Sequence, residues 1–212
     1  SAVGASALLA APALSAAPAV PAAAPTVPRR RGKSLVGFAA PKLDVVKVRT
    51  PADEQKQFLL QSGYKMDPVL TEAEGIKEPT AIAFDGNGRM YVLEMRSYMR
   101  DVDGSNSREP ISRISRWEST KGDGVYDKFT VFIDNIAPPR NVLPLDKNRV
   151  LVNETHSDNL DLYTDTDGDG VADKKETVFT GVGLGRDGNI EHEQSGFLWA
   201  MDNWIYSTYN TF

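Results

Sequence analysis

The segment Gly122–Phe132, GDGVYDKFTVF, recurs as GDGVADKKETVF at Gly168–Phe179, with Asp123 and Asp169 46 residues apart. One extra residue enters the second copy between Lys174 and Thr177. A second motif behaves alike. PTAIAFDGNGRMYVLE (79–94) recurs as PRNVLPLDKNRVLVNE (139–154), and a weaker third copy is GFLWAMDNWIYS (196–207). The first two copies read as strand, D-x-N turn, strand, and the third has Asp202-Asn203 at its turn; Asn and Gly tolerate the positive φ of tight hairpins. A repeat of about 45 residues with about four short strands has the size of one β-propeller blade. Between the motifs, runs such as RMYVLEM, ISRISRWE, FTVFI and RVLVN alternate with Gly, Asp and Asn clusters and show no long helical period. The predicted fold class is therefore all-β, with about three blades in residues 64–212. A closed ring takes about four to eight blades, so the expectation is an N-terminal fragment of a longer propeller.

Ahead of that region the chain changes character. Residues 1–33 are predicted to be a signal-peptide remnant and disordered linker, because residues 1–28 are almost wholly Ala, Pro, Val, Leu and Ser. Ser15, Ala17, Ala22 and Ala24 offer the small residues of a signal-peptidase site, which points to an exported, periplasmic or cell-envelope protein. A plain Ala/Pro linker is the alternative. Prolines at 12, 18, 21 and 25 argue against a transmembrane helix. Residues 34–63 are predicted as an extended stretch followed by a short helix in TPADEQKQFLLQSGY. Thr50 serves there as N-cap, Pro51 stands in the first turn, and Gly63 is the stop.

Composition removes several functions. The chain has no cysteine, which excludes disulfides, thiolate metal sites, a Cys nucleophile and CxxCH haem attachment within it. Its net charge is −5, and the one basic run, Arg29–Lys33, lies at the linker edge without interleaved aromatic residues. No nucleic-acid partner is expected.

The acidic stretch DTDGDGVADKKE (Asp165–Glu176) satisfies D-x-[DN]-x-[DN]-G-x5-E at every position. Calcium takes six to eight oxygens at about 2.3–2.6 Å in a flexible shell. Asp165, Asp167 and Asp169 would supply side-chain oxygens, Val171 its carbonyl, Asp173 the ninth position and Glu176 two closing oxygens. Gly170 permits the turn. The flanks read as strands, so the expectation is a structural calcium clip within a blade rather than a helical EF-hand. A solvated acidic turn is the alternative. The equivalent loop ESTKGDGVYDK has Ser119 and Lys121 in place of Asp165 and Asp167, and is expected to be a plain turn.

Two histidines remain. His156, in NETHSDN, reads as structural or solvent-facing. His192, in GNIEHEQSG, is flanked by Glu191 and Glu193. A carboxylate beside an imidazole can orient it as a general base. GLGRDG (183–188) fits G-x-G-x-x-G, but no βαβ unit surrounds it, so a dinucleotide fingerprint is discounted.

At this point the chain resembles a family. GNIEHEQSGFLWAMDNWIYST (188–208) is similar to the acid-His-Gln-Ser-Gly segment and following hairpin of the soluble quinoprotein glucose and sorbosone dehydrogenases. IKEPTAIAFDGNGRMYVLE (76–94) resembles a first blade of those propellers. Over about residues 50–208 the resemblance is closer to the large exported bacterial proteins known as membrane-bound dehydrogenases, which share FDxNGRMYVxEM, DTDGDG and NxEHxxxGxxWxxDNWIY. The resemblance implies a six-bladed ring and oxidation of a sugar or alcohol hydroxyl by pyrroloquinoline quinone (PQQ). His192 would act as base beside Glu191, with electrons passing to a c-type cytochrome. Glu193 is an insertion relative to that segment, and Tyr209-Asn210-Thr211 lacks the family's Asp after the IY strand. The family's quinone-seating residues and their calcium lie in later blades, so no cofactor-binding residue is assigned here. The rival reading is a non-catalytic, calcium-stabilised propeller that binds carbohydrate or protein.

Overall fold

The computed structural model describes residues 47–155, 157–181 and 194–208. The described residues from Val48 onward form one compact unit. Its regular structure is almost entirely strand, arranged as three antiparallel sheets in which neighbours in sequence are neighbours in space. The first sheet comprises β1 (Pro79–Phe84), β2 (Met90–Glu94), β3 (Ser112–Glu118) and β4 (Lys128–Ile136). The second comprises β5 (Pro139–Pro144), β6 (Arg149–Glu154), β7 (Asn159–Thr164) and β8 (Lys174–Thr180). The third is the hairpin β9 (Ser195–Trp199) and β10 (Ile205–Thr208). None of the sheets closes on itself.

The repeats read from the sequence are the repeats of the structure. In the β1–β2 turn, Asp85 Oδ1 accepts the amides of Asn87 (2.8 Å) and Arg89 (3.0 Å), and Oδ2 accepts Arg89 Nε at 2.6 Å. In the β5–β6 turn, Asp146 takes the amides of Asn148 and Arg149, both at 2.9 Å, and Arg149 Nε at 2.7 Å. In the β9–β10 turn, Asp202 takes the Trp204 amide and the Tyr206 hydroxyl. The leading Asp of each turn thus closes its hairpin by satisfying amides that the tight turn leaves unpaired.

Strand alternation builds the core. Tyr91 and Leu93 of β2 face one side and join Ile114, Phe132, Ile133 and Ile136. Val142, Val150, Val152 and Tyr163 of the second sheet complete the same cluster, so the first two sheets share one core. Tyr91 meets Phe132 edge to face, with ring centroids 5.3 Å apart. Met90 and Val92, on the other face of β2, pack with Ile76 and Trp117. The first strands also associate: β5 lies against β1, and β9 lies against β5.

The helix is shorter than expected. α1 spans only Pro51–Gln55, although its start is as read, with Thr50 Oγ1 accepting the Asp53 amide at 3.2 Å. None of its residues is buried. Without an apolar face to pack, extension into QFLLQ has nothing to offset its ordering entropy. Among the described residues no helix is long and apolar enough to cross a membrane. The expected linker of residues 1–33 lies outside the described residues.

Candidate metal centre

The acidic loop links β7 to β8. Asp165 opens it and is almost fully buried, with 1 % of its surface exposed. Its Oδ1 accepts the Gly168 amide at 2.6 Å, and its Oδ2 accepts the Gly170 amide at 2.9 Å. Gly170 has φ +98°, in the left-handed region that an L side chain rarely adopts. Asp167 Oδ1 accepts the Asp169 amide at 3.1 Å, and Asp169 Oδ1 accepts the Val171 amide at 2.7 Å. These bonds curl the chain inward, so that one carboxylate oxygen from each of Asp165, Asp167 and Asp169 lies within 4.8 Å of the others.

Two further predicted carboxylates are engaged elsewhere. Asp173 Oδ1 accepts the Thr166 amide at 3.2 Å and its Oδ2 the Thr166 hydroxyl at 2.6 Å. Glu176 lies on β8 opposite Leu162, where its carboxylate pairs with Lys174 Nζ at 2.9 Å. Val171 contributes its amide to Asp169 and exposes its side chain. Of the five predicted carboxylate ligands the structure therefore gathers Asp165, Asp167 and Asp169 and leaves Asp173 and Glu176 engaged with Thr166 and Lys174.

The sister loop between β3 and β4 shows which part of this geometry belongs to the fold alone. Asp127 accepts the Thr120 amide at 2.8 Å and its hydroxyl at 2.6 Å, and Asp123 accepts the Val125 amide at 2.9 Å. Ser119 Oγ takes the Gly124 amide at 3.2 Å, as Asp165 takes that of Gly170. The Thr120 contacts hold the Asp127 carboxyl below the usual carboxylate range. The turn is common to both loops; the three converging carboxylates are particular to the second.

The acidic loop also reaches the first sheet. The Ala172 amide donates to the Phe132 carbonyl of β4 at 2.8 Å, and the Ala172 side chain packs on the shared core. Arg116 of β3 projects Nη1 to 3.5 Å from Asp165 Oδ2. The sequence showed no basic residue near the acids ahead of Lys174; the fold brings one from 49 positions earlier. The signal lay in the repeat, where Arg116 occupies the position held by Leu162 in the second copy. It stands two residues after Ile114 on a strand, and therefore on the core-facing side.

His192 and Glu191, the predicted base and its partner, lie outside the described residues, as do His156 and GLGRDG. The residues just beyond them are held by a side chain the sequence did not single out. Buried Asn141 of β5 donates Nδ2 to the Gln194 carbonyl at 3.1 Å and accepts the Gly196 amide on Oδ1 at 2.6 Å. Asn141 thus pairs with backbone as a strand would, and fixes the start of β9 against β5.

No curated protein matches the chain. Residues 50–212, which hold all three sheets and the acidic loop, match the family model described as a domain of unknown function, DUF7133, and the chain belongs to that family.

Proposed function

We propose that the three sheets are successive blades of a β-propeller and that the acidic loop holds one calcium ion as a structural clip. The blade reading is supported by the sequential four-strand order of the sheets and the side-by-side placement of β1, β5 and β9, as inner strands of neighbouring blades would lie. The ion reading is carried by the convergence of Asp165, Asp167 and Asp169. Hard carboxylate oxygens in a glycine-containing loop suit calcium, which tolerates irregular shells and completes them with carbonyls and water. The ion would offset repulsion among the three carboxylates and brace the loop that docks on β4. Calorimetric titration of the chain with calcium tests this. Saturable binding that Asp167→Ala abolishes is the expected result, and the absence of binding would leave the loop a polar turn.

The activity we propose for the propeller is oxidation of a sugar or alcohol hydroxyl in an exported compartment. PQQ would take the hydride, His192 beside Glu191 would take the hydroxyl proton, and a c-type cytochrome would accept the electrons. This reading rests on the resemblance of residues 188–208. Asn141 holds the Gln194 carbonyl and the Gly196 amide, the backbone that follows His192 in sequence, an anchor that suits a positioned base and a structural strand contact equally. PQQ titration with calcium present, followed by dye reduction with aldoses and alcohols, tests it. His192→Ala should abolish turnover and leave the protein folded. Absence of PQQ binding would favour the rival, a non-catalytic propeller that binds carbohydrate or protein.

A further inference from the structure

Arg116 is 2 % exposed, yet only one of its guanidinium nitrogens is well paired. Nη2 donates to Glu118 at 2.9 Å, while Nε and Nη1 have no hydrogen-bond partner. Nη1 is aimed at the acidic loop, 3.5 Å from Asp165 Oδ2. The guanidinium lies over the Phe132 ring, 6.0 Å from its centroid, and fills the space beside Gly170, where a Cβ would overlap it. Glycine at 170 therefore serves both the left-handed turn and the entry of Arg116. A buried, half-paired cation is costly unless a nearby anion compensates it, and Asp165 is the buried carboxylate it faces.

We propose that Arg116 is the built-in counter-cation of the Asp165–Asp169 site, so that the guanidinium and calcium share Asp165 and calcium loading is coupled to the seam between the first two sheets. This rests on the calcium reading above and adds to it. A unit positive charge a few ångströms from the ion weakens calcium binding by about ten-fold or more. The site is thereby weaker than the same loop would be without the guanidinium. It would fill as calcium rises and stay held by Arg116 where calcium is scarce. The coupling is local to this seam, since the sister loop has Ser119 where Asp165 stands.

Calorimetric calcium titration and thermal melts of the wild-type chain, Arg116→Gln and Arg116→Lys test the proposal. The glutamine variant should bind calcium about ten-fold more tightly than wild type and melt lower without calcium, with the loss recovered when calcium is added. If it is unfolded without calcium, refolding on calcium addition is the same result. The lysine variant, which keeps the charge, should bind within about two-fold of wild type. Equal or weaker binding by Arg116→Gln while wild type binds would overturn the proposal and leave the calcium reading intact. Binding by the glutamine variant alone would support it. No binding by either protein would overturn both.

Discussion

Asp173 grips Thr166 as Asp127 grips Thr120, each carboxylate taking both the amide and the hydroxyl of a threonine seven residues earlier. One of these loops has the acidic set and the other does not, so this clasp is a folding device independent of any ion. Asp127→Ala should lower Tm by a few degrees and leave calcium binding unchanged. Asp173→Ala should show a similar fall in calcium-free buffer. If Asp173 also ligates calcium, its loss will grow in calcium while that of Asp127→Ala stays constant. Melts of both variants with calcium and with chelator separate the two roles.

Asp167 is exposed and holds only the Asp169 amide. Asp167→Ala should therefore leave chelator-treated stability within about 0.5 kcal/mol of wild type, as most surface changes do. It should remove the rise in Tm that calcium confers, since binding to the folded state alone stabilises it by mass action. A calcium-dependent rise that survives in Asp167→Ala would place the ion elsewhere.

Asn141 makes two bonds to backbone groups that its loss would leave unpaired in a buried site. Asn141→Ala should cost about 2–3 kcal/mol. The amide of Gly196 should lose protection in hydrogen exchange before the core of β2 does, because the damage is confined to the β5–β9 contact. If the dehydrogenase reading holds, kcat should fall further than the folded fraction, and a loss of activity that only tracked unfolding would deny Asn141 a positioning role.

Much of this architecture was legible because each repeat writes its own turn. The D-x-N hairpins, the Thr50 cap and the acidic motif are local chemistry, in which the residues that interact lie within a few positions of one another. The partners the sequence did not disclose come from afar. Arg116 meets Asp165, and Asn141 meets Gly196, across two sheets whose registers had to be known first. The helix fell short of Gly63 for the complementary reason: its cap was local and readable, but extension depends on a surface to pack against, which no local pattern reveals. The same limit applies to Asp173 and Glu176. The motif places them at ligand spacing, while the strand pairing of β8 turns Glu176 beside Lys174 and the clasp occupies Asp173.

Glu94, at the end of β2, is fully buried and is met on every side. Oε1 accepts Arg113 Nε at 2.8 Å and the Ser115 hydroxyl at 2.9 Å; Oε2 accepts the Lys77 amide at 3.0 Å and Arg96 Nη2 at 2.8 Å. Burial alone would raise its pKa, but the bonds from Arg113, Lys77, Arg96 and Ser115 outweigh burial and hold it below the ordinary 4.5. A carboxyl whose folded pKa is depressed contributes stability that is present above its unfolded pKa and is lost as pH falls through the folded value. Unfolding free energy should therefore be flat in this contribution above about pH 5 and decline below about pH 4.5. Glu94→Gln should remove that part of the acid dependence. It should also cost about 3 kcal/mol or more at neutral pH, because Arg96 and Arg113 lose the anion that both share. Urea titrations of wild type and Glu94→Gln at pH 4 and pH 7 measure both effects. An equal loss at the two pH values would mean that Glu94 acts through packing and hydrogen bonding, with its charge contributing nothing to the acid sensitivity.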